Sequence, residues 1–332
     1  MLYGERIVVG VNGSDGGNVA LRYAAREATR RDAALHLVHV VPACVEESPT
    51  SYVLGTAAVE SAGHRILADA YDLARSLVAE GRVSTEIVTG SRASALVTAA
   101  KGADLLVLGD EHKAYVEQLS RGWAADGVVP HTTCPTVLVP VTWRAVAEKG
   151  LVLVGVRDAR RSLALIETGL EEARRRRASV VLLHASFRPG LDTDAIAREV
   201  DRELWLEEDR RIVAEAAEPL LDDFADVPIQ IRAVVGRPGA VLRRAAASAG
   251  LLLLDRRLTD EPDGSFGRTG HQLLRRPPCP IEVLPPSTQW LVPEQRQEVA
   301  RPAAAGRLGP ADRVIAADRV TAADRVTAVP RR

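Results

Sequence analysis

Along the first 286 residues, short runs of apolar and β-branched positions alternate with longer stretches whose apolar residues recur at helical spacing. In the first half the pattern predicts strands near 6–12, 34–41, 83–89, 104–109 and 135–140, with helices near 17–32, 57–80, 91–101 and 120–130. In the second half it predicts strands near 151–156, 179–185, 228–235, 250–255 and 280–285. Leu163, Ile166, Leu170 and Ala173 make a one-face stripe. Val213, Ala217, Leu220 and Phe224 make another, and Pro219 inside it predicts a kink or a break. Strands alternating with amphipathic helices imply parallel sheets with right-handed crossovers. The uninterrupted apolar runs 105–108 and 251–254 suit central strands covered on both faces. The runs TVLVP and IEVLP end in proline, which suits a sheet edge or a pairing seam.

The second half repeats the first. IVVGVNGS (7–14) returns as VLVGVRDA (152–159), LVHVV as LLHAS, ADLLVLG as AGLLLLD, and TTCPTVLVP as PPCPIEVLP. Val9 and Val154, His39 and His184, Cys134 and Cys279, and Pro140 and Pro285 all differ by 145. One offset at both ends of a unit implies duplicated whole domains. The expected fold class is therefore α/β: two tandem five-stranded parallel open-sheet domains, Rossmann-like α/β/α sandwiches, over 1–145 and 146–286. The remainder, 287–332, carries a hexamer echo, ADRVIA then ADRVTA twice. A six-residue step turns a helix by about 600°, so the valines share no face. That predicts a disordered or weakly helical tail.

Composition narrows the function. Net charge is −1 over 332 residues, which argues against a dedicated nucleic-acid or polybasic membrane surface. Aromatics at 4% leave few platforms for stacking single strands. No apolar run approaches the ~20 residues that span a bilayer. The start, MLYGERIVVG, lacks a secretory pattern, so the cytoplasm is the expected compartment. Cys44, Cys134 and Cys279 are expected to be small apolar residues and not a disulfide set. The run Arg174–Arg177 is expected to be a solvated last helical turn complementing the helix dipole. His39 and His184, equivalent to each other, are expected to be hydrogen-bonded structural residues. No spacing supports a metal site, and no catalytic constellation stands out, so no enzymatic activity is expected.

In an open parallel sheet ligands bind at the carboxyl ends of the strands, where strand order reverses. There, VGVNGS, GADLLVLG, the long following loop and CPTVLVP resemble the universal stress protein family, as do VGVRDA, VGRPGAVL, AGLLLLD and CPIEVLP. The resemblance covers about 5–142 and 150–286. It implies tandem copies of a five-stranded α/β domain in a family where many members bind ATP and others do not. Last strands commonly pair between subunits in that family. Here 135–140 and 280–285 are expected to pair antiparallel within one chain, as an intramolecular pseudo-dimer that removes two exposed edges.

The family's nucleotide signature is a glycine, a second glycine three positions on, and a third ten further on, followed by Ser or Thr. Glycines let the backbone approach phosphate, and the helix opened by the last pair presents amides to the anion. In the first repeat Gly109 and Gly122 match, but His112 replaces the middle glycine and Trp123 the hydroxyl residue. Asn12 stands where an acid usually ends the first strand. If position 112 is left-handed, the histidine costs on the order of 1 kcal/mol. A residual site there would use Asn12, Gly13, Val40, Gly109, His112, Gly122 and Trp123. In the second repeat Asp255 replaces the first glycine, the loop is one residue shorter, and Gly267 and Arg268 stand at the end. Arg157 and Asp158 occupy the first-strand loop.

Three functions follow as expectations. The first is a stress-response regulatory or interaction module with an unidentified protein partner and weak or absent nucleotide binding, with no cofactor. The second is a sensor holding one ATP, with magnesium, in the first repeat. The third is an enzyme acting on a nucleotide, for which no positioned nucleophile, base or metal ligand is found.

Overall fold

The structure is a computed structural model and describes residues 5–41, 49–110, 127–145, 150–187, 195–256 and 267–286. The tail expected over 287–332, Cys44 and most of the helix expected over 120–130 lie outside the described residues.

The first repeat contains β1 (Arg6–Gly10), α1 (Asp15–Arg31), β2 (Ala34–Val41), α2 (Pro49–Arg75), β3 (Val83–Thr89), α3 (Arg92–Ala99), β4 (Leu105–Gly109) and β5 (Thr136–Val139). The second contains β6 (Leu151–Val156), α4 (Leu163–Arg176), β7 (Ser179–Ser186), α5 (Ala195–Ala217), β8 (Ile229–Val235), α6 (Pro238–Ala246), β9 (Leu251–Asp255), α7 (Gly267–Leu274) and β10 (Ile281–Leu284). Every predicted strand is present. β1 ends two residues early, because Asn12 starts a side-chain-closed turn. α2 begins earlier and ends sooner than its apolar pattern suggested. α5 stops at Ala217, and a 3-10 turn, Glu218–Leu220, carries Pro219. Pro219 has no amide hydrogen to continue the ladder, so the break falls where the sequence placed it.

The strands form one sheet of ten, in the order β3-β2-β1-β4-β5-β10-β9-β6-β7-β8. All neighbours are parallel except β5 and β10, which run antiparallel. Their register pairs Leu138 with Ile281, Val137 with Glu282 and Thr136 with Val283. With the offset of 145, Val137 thus faces its own counterpart, and a pseudo-twofold axis passes between the repeats at that pair.

Alternation along the strands sends successive side chains to opposite faces. Leu105, Val107 and Val137 pack under α1 and α2 with Leu21, Ala24 and Ala74. Val152, Val154 and Leu253 pack under α4 and α5 with Ile166, Leu170 and Val213, so the predicted stripes face the core. On the other face one continuous apolar cluster crosses the seam, joining Leu106, Leu138, Val128 and Leu96 to Leu252, Ile281, Leu273 and Leu242.

The seam's α1–α4 face is ionic. α1 and α4 touch there, and each carries a Glu and an Arg one turn apart. Arg31 Nη2 lies 2.8 Å from Glu172 Oε1, and Arg176 Nη2 lies 2.9 Å from Glu27 Oε1. Within the helices, Arg31 Nε is 3.6 Å from Glu27 Oε2, and Arg176 Nη1 bonds Glu172 Oε2. Both glutamate side chains are fully buried. This corrects the expectation for 174–177. Arg176 is nearly buried and spends its charge on the other repeat, while Arg174 sits over Phe224 and pairs with Asp226. The end of α4 is covered by α1 of the first repeat, which the second repeat alone does not reveal.

Candidate functional site

In the first repeat the β1–α1 turn is built by its own polar side chains. Asn12 Oδ1 accepts from the Ser14 amide at 3.1 Å and from the Ser14 hydroxyl at 2.8 Å. Ser14 Oγ in turn accepts from the Gly17 amide at 3.1 Å and caps α1. Gly13 has φ +74°, a left-handed turn position that a side chain would strain. Asn12 and Gly13 are exposed at the strand's carboxyl end.

Gly109, at the end of β4, faces this turn. A Cβ there would come 2.2 Å from Gly16 O and 2.9 Å from Gly17 N. Its glycine identity is therefore required by the close approach of the α1 backbone, independently of any ligand. Val40 is buried among Leu96 and Leu108 on the opposite face of the sheet. Asn12, Gly13 and Gly109 are thus brought to one end of β1 and β4, whereas the Val40 side chain belongs to the core. His112, Gly122 and Trp123 lie outside the described residues.

The second repeat differs at the same place. The offset would start its first helix at 160; instead a 3-10 turn occupies Ala159–Arg161 and α4 starts at Leu163. Asp255 stands where Gly109 stands, so the close approach made by Gly16 would meet a side chain. Ser162 Oγ donates to Asp158 O at 2.7 Å and closes the altered turn.

The two histidines are structurally equivalent. His39 Nδ1 lies 2.8 Å from Val11 O and His184 Nδ1 lies 3.0 Å from Val156 O, each tying the second strand to the end of the first. A carbonyl only accepts, so Nδ1 carries the hydrogen in both. Around His184 lies a cavity of about 480 Å³ lined by Arg157, Asp158, Ala159, His184, Asp209, Ile212 and Val213. Asp209 accepts a hydrogen bond from Ser186 Oγ. The corresponding positions in the first repeat are Val41 and Gly63, the glycine lying against His39 where Asp209 lies against His184, so the comparison of the two repeats carried a signal for this site that the motif comparison did not use.

Burial pushes the Cys134 thiol up to about 11. Glu282, on the pseudo-twofold axis and buried, has its carboxyl pKa raised by burial, against the attraction of Arg31 and Arg176. No group of three or more metal-ligating side chains is found among the described residues, and none of their helices is long and apolar enough to cross a membrane. Arg256, following β9, donates to Val129 O at 2.6 Å and Thr132 O at 2.8 Å, a further bond from the second repeat to the first.

These features define a class: a tandem α/β protein with two open-sheet units fused through their last strands, carrying turns at the strand ends where related folds hold ligands. The model of the universal stress protein family matches residues 4–140 and again 151–285, and the chain belongs to that family. It is 28% identical over 277 residues to a universal stress protein of Mycobacterium tuberculosis, covering 80% of this chain and 88% of that one. A universal stress protein of Mycolicibacterium smegmatis is 27% identical over 278 residues, again covering 80% and 88%. Among solved structures, a universal stress protein from Archaeoglobus fulgidus aligns with a TM-score of 0.65 at 14% identity, over 85% of this chain and 96% of that one.

Proposed function

We propose that this chain is a regulatory or interaction module of the stress response that binds nucleotide weakly or not at all. The observation that carries this reading is the pair Gly109 and Asp255. In the first repeat the α1 backbone packs against Gly109, at a distance where a Cβ would meet Gly16 O at 2.2 Å. In the second, a carboxylate replaces that glycine and the helix start is displaced. A nucleotide signature needs its first glycine open to phosphate. The proposed partner is a protein, engaged in the cytoplasm, and no catalytic step is assigned.

One observation favours a second reading, a single nucleotide held by the first repeat: the β1–α1 turn keeps an exposed Asn12 and a left-handed Gly13 beside Gly109. Equilibrium binding of labelled ATP, with and without magnesium, separates the two. The module reading expects no saturable binding in the micromolar range. Sub-micromolar, magnesium-dependent binding would overturn it.

A further inference from the structure

We propose that Glu282 decides partner choice at the seam: it lets β10 pair with β5 and refuses pairing with β10 of a second copy of this chain. The rest of the seam cannot make that choice. Arg31 meets Glu172 at 2.8 Å, and Arg176 meets Glu27 at 2.9 Å. These are one Glu–Arg pair, four positions apart on its helix, repeated at the offset of 145. Two copies of α1, or two copies of α4, set about the same axis would form the same cross-pairs. On the opposite face of the sheet, Leu138 and Ile281 are both buried and apolar, and they suit either partner alike. A duplicated edge of this kind invites exchange between chains, because an exchanged seam keeps its contacts.

The register breaks the symmetry at one position. Val137 lies opposite Glu282, and each is the other's counterpart in the repeat. Pairing β10 with a second β10 about that axis would set Glu282 against Glu282 and Ile281 against Val283. Pairing β5 with a second β5 would set Val137 against Val137. Like charges directly opposite on neighbouring strands are destabilising, and here they would also be buried. Glu282 is 1% exposed, and its Oε2 has no hydrogen-bond partner among the described residues. Beneath the axis the native seam buries the carboxyls of Glu27, Glu172 and Glu282 with the guanidiniums of Arg31 and Arg176. Two second repeats would bury Glu172 and Glu282 twice over, against two copies of Arg176. Two first repeats would balance Glu27 with Arg31. Arg30 and Arg175, at the rim, already hold Glu27 and Glu172. The native pairing thus carries one excess buried carboxyl, whereas β10 with β10 must bury two face to face. Fixing a partner at a cost in stability is the best-attested use of a single buried polar group. A closed exchanged dimer needs both like-with-like seams, so forbidding one forbids the dimer.

The test is refolding of the full chain from urea at about 1 mM, near the effective concentration at which a short linker holds two modules together. Size-exclusion chromatography with light scattering reads the product. The parent chain is expected to return as monomer. Glu282→Val should return roughly a tenth or more of the protein as dimer, because both like-with-like seams are then allowed. Val137→Glu combined with Glu282→Val moves the carboxyl to the other strand, and this double variant should be monomeric again. If the double variant does not refold, Glu282→Val against the parent carries the test by itself. Monomer only for Glu282→Val, equal dimer in that variant and the parent, or equal dimer in that variant and the double variant would each overturn the proposal.

Discussion

Arg176 of the second repeat lies 2.9 Å from Glu27 of the first, and both side chains are buried. The pseudo-twofold axis repeats the contact as Arg31 with Glu172 at 2.8 Å. Each guanidinium therefore spans its own helix and the opposite one. Removing one partner from a buried pair leaves an uncompensated charge, which typically costs about 3–5 kcal/mol. Arg176→Met is expected to destabilise the chain by that order in urea unfolding. Adding Glu27→Gln should restore part of the loss, because the stranded carboxylate is gone. Additive losses in the double-mutant cycle would mean that the two side chains do not interact.

Glu282 stands opposite Val137 on the axis, and burial raises its carboxyl pKa above the ordinary 4.5. A carboxyl with a raised folded pKa binds its proton more tightly in the native state. Stability is therefore lost as pH rises from about the unfolded value to the folded one, and is flat above it. Glu282→Gln removes this dependence. The melting temperature of the variant relative to the parent should climb as pH increases from about 4.5 and then level off. A difference independent of pH would show that Glu282 titrates normally.

Gly109→Ala tests whether that glycine serves packing. Its methyl would meet the Gly16 carbonyl at 2.2 Å, and backbone cannot move aside as a flexible side chain can. Overpacking of this kind costs about 1–3 kcal/mol. The loss is expected in thermal unfolding without any ligand present. An unchanged melting temperature would leave only a ligand to explain the residue.

Cys134 and Cys279 are both buried, and burial holds the Cys134 thiol at about 11. The thiolate is the reactive form. In the native chain at pH 8 neither should react with a disulfide reagent on the timescale on which both react in denaturant. Mass spectrometry of the labelled peptides reads the two sites separately, and prompt native labelling of Cys134 would contradict its burial.

Several features could be read from the residues alone. The ten strands, the break at Pro219 and the stripe Leu163, Ile166, Leu170 and Ala173 follow from local periodicity, because an element's buried face repeats along the chain itself. The family followed from duplicated strand-end motifs. The replacement of glycine by Asp255 at the end of the fourth strand was likewise visible, since it is a matter of which residue stands at which spacing.

Three features depended on tertiary contact. The Arg174–Arg177 run looked like a solvated helix end, yet Arg176 is buried because α1 of the other repeat lies against it. The signal was present in the doubled Glu27/Arg31 and Glu172/Arg176 spacing, but helix spacing does not say what covers a helix. Gly109 looked like a phosphate glycine, and only the approach of Gly16 gives it a packing role. Ser186, His184 and Asp209 meet because β7 and α5 fold onto one another. Sequence by itself determined the elements, their duplication and the family, since these rest on residues close along the chain or matched by one offset. The tertiary structure decided which charges are buried and which polar groups converge, because both depend on residues far apart in sequence sharing one low-dielectric space.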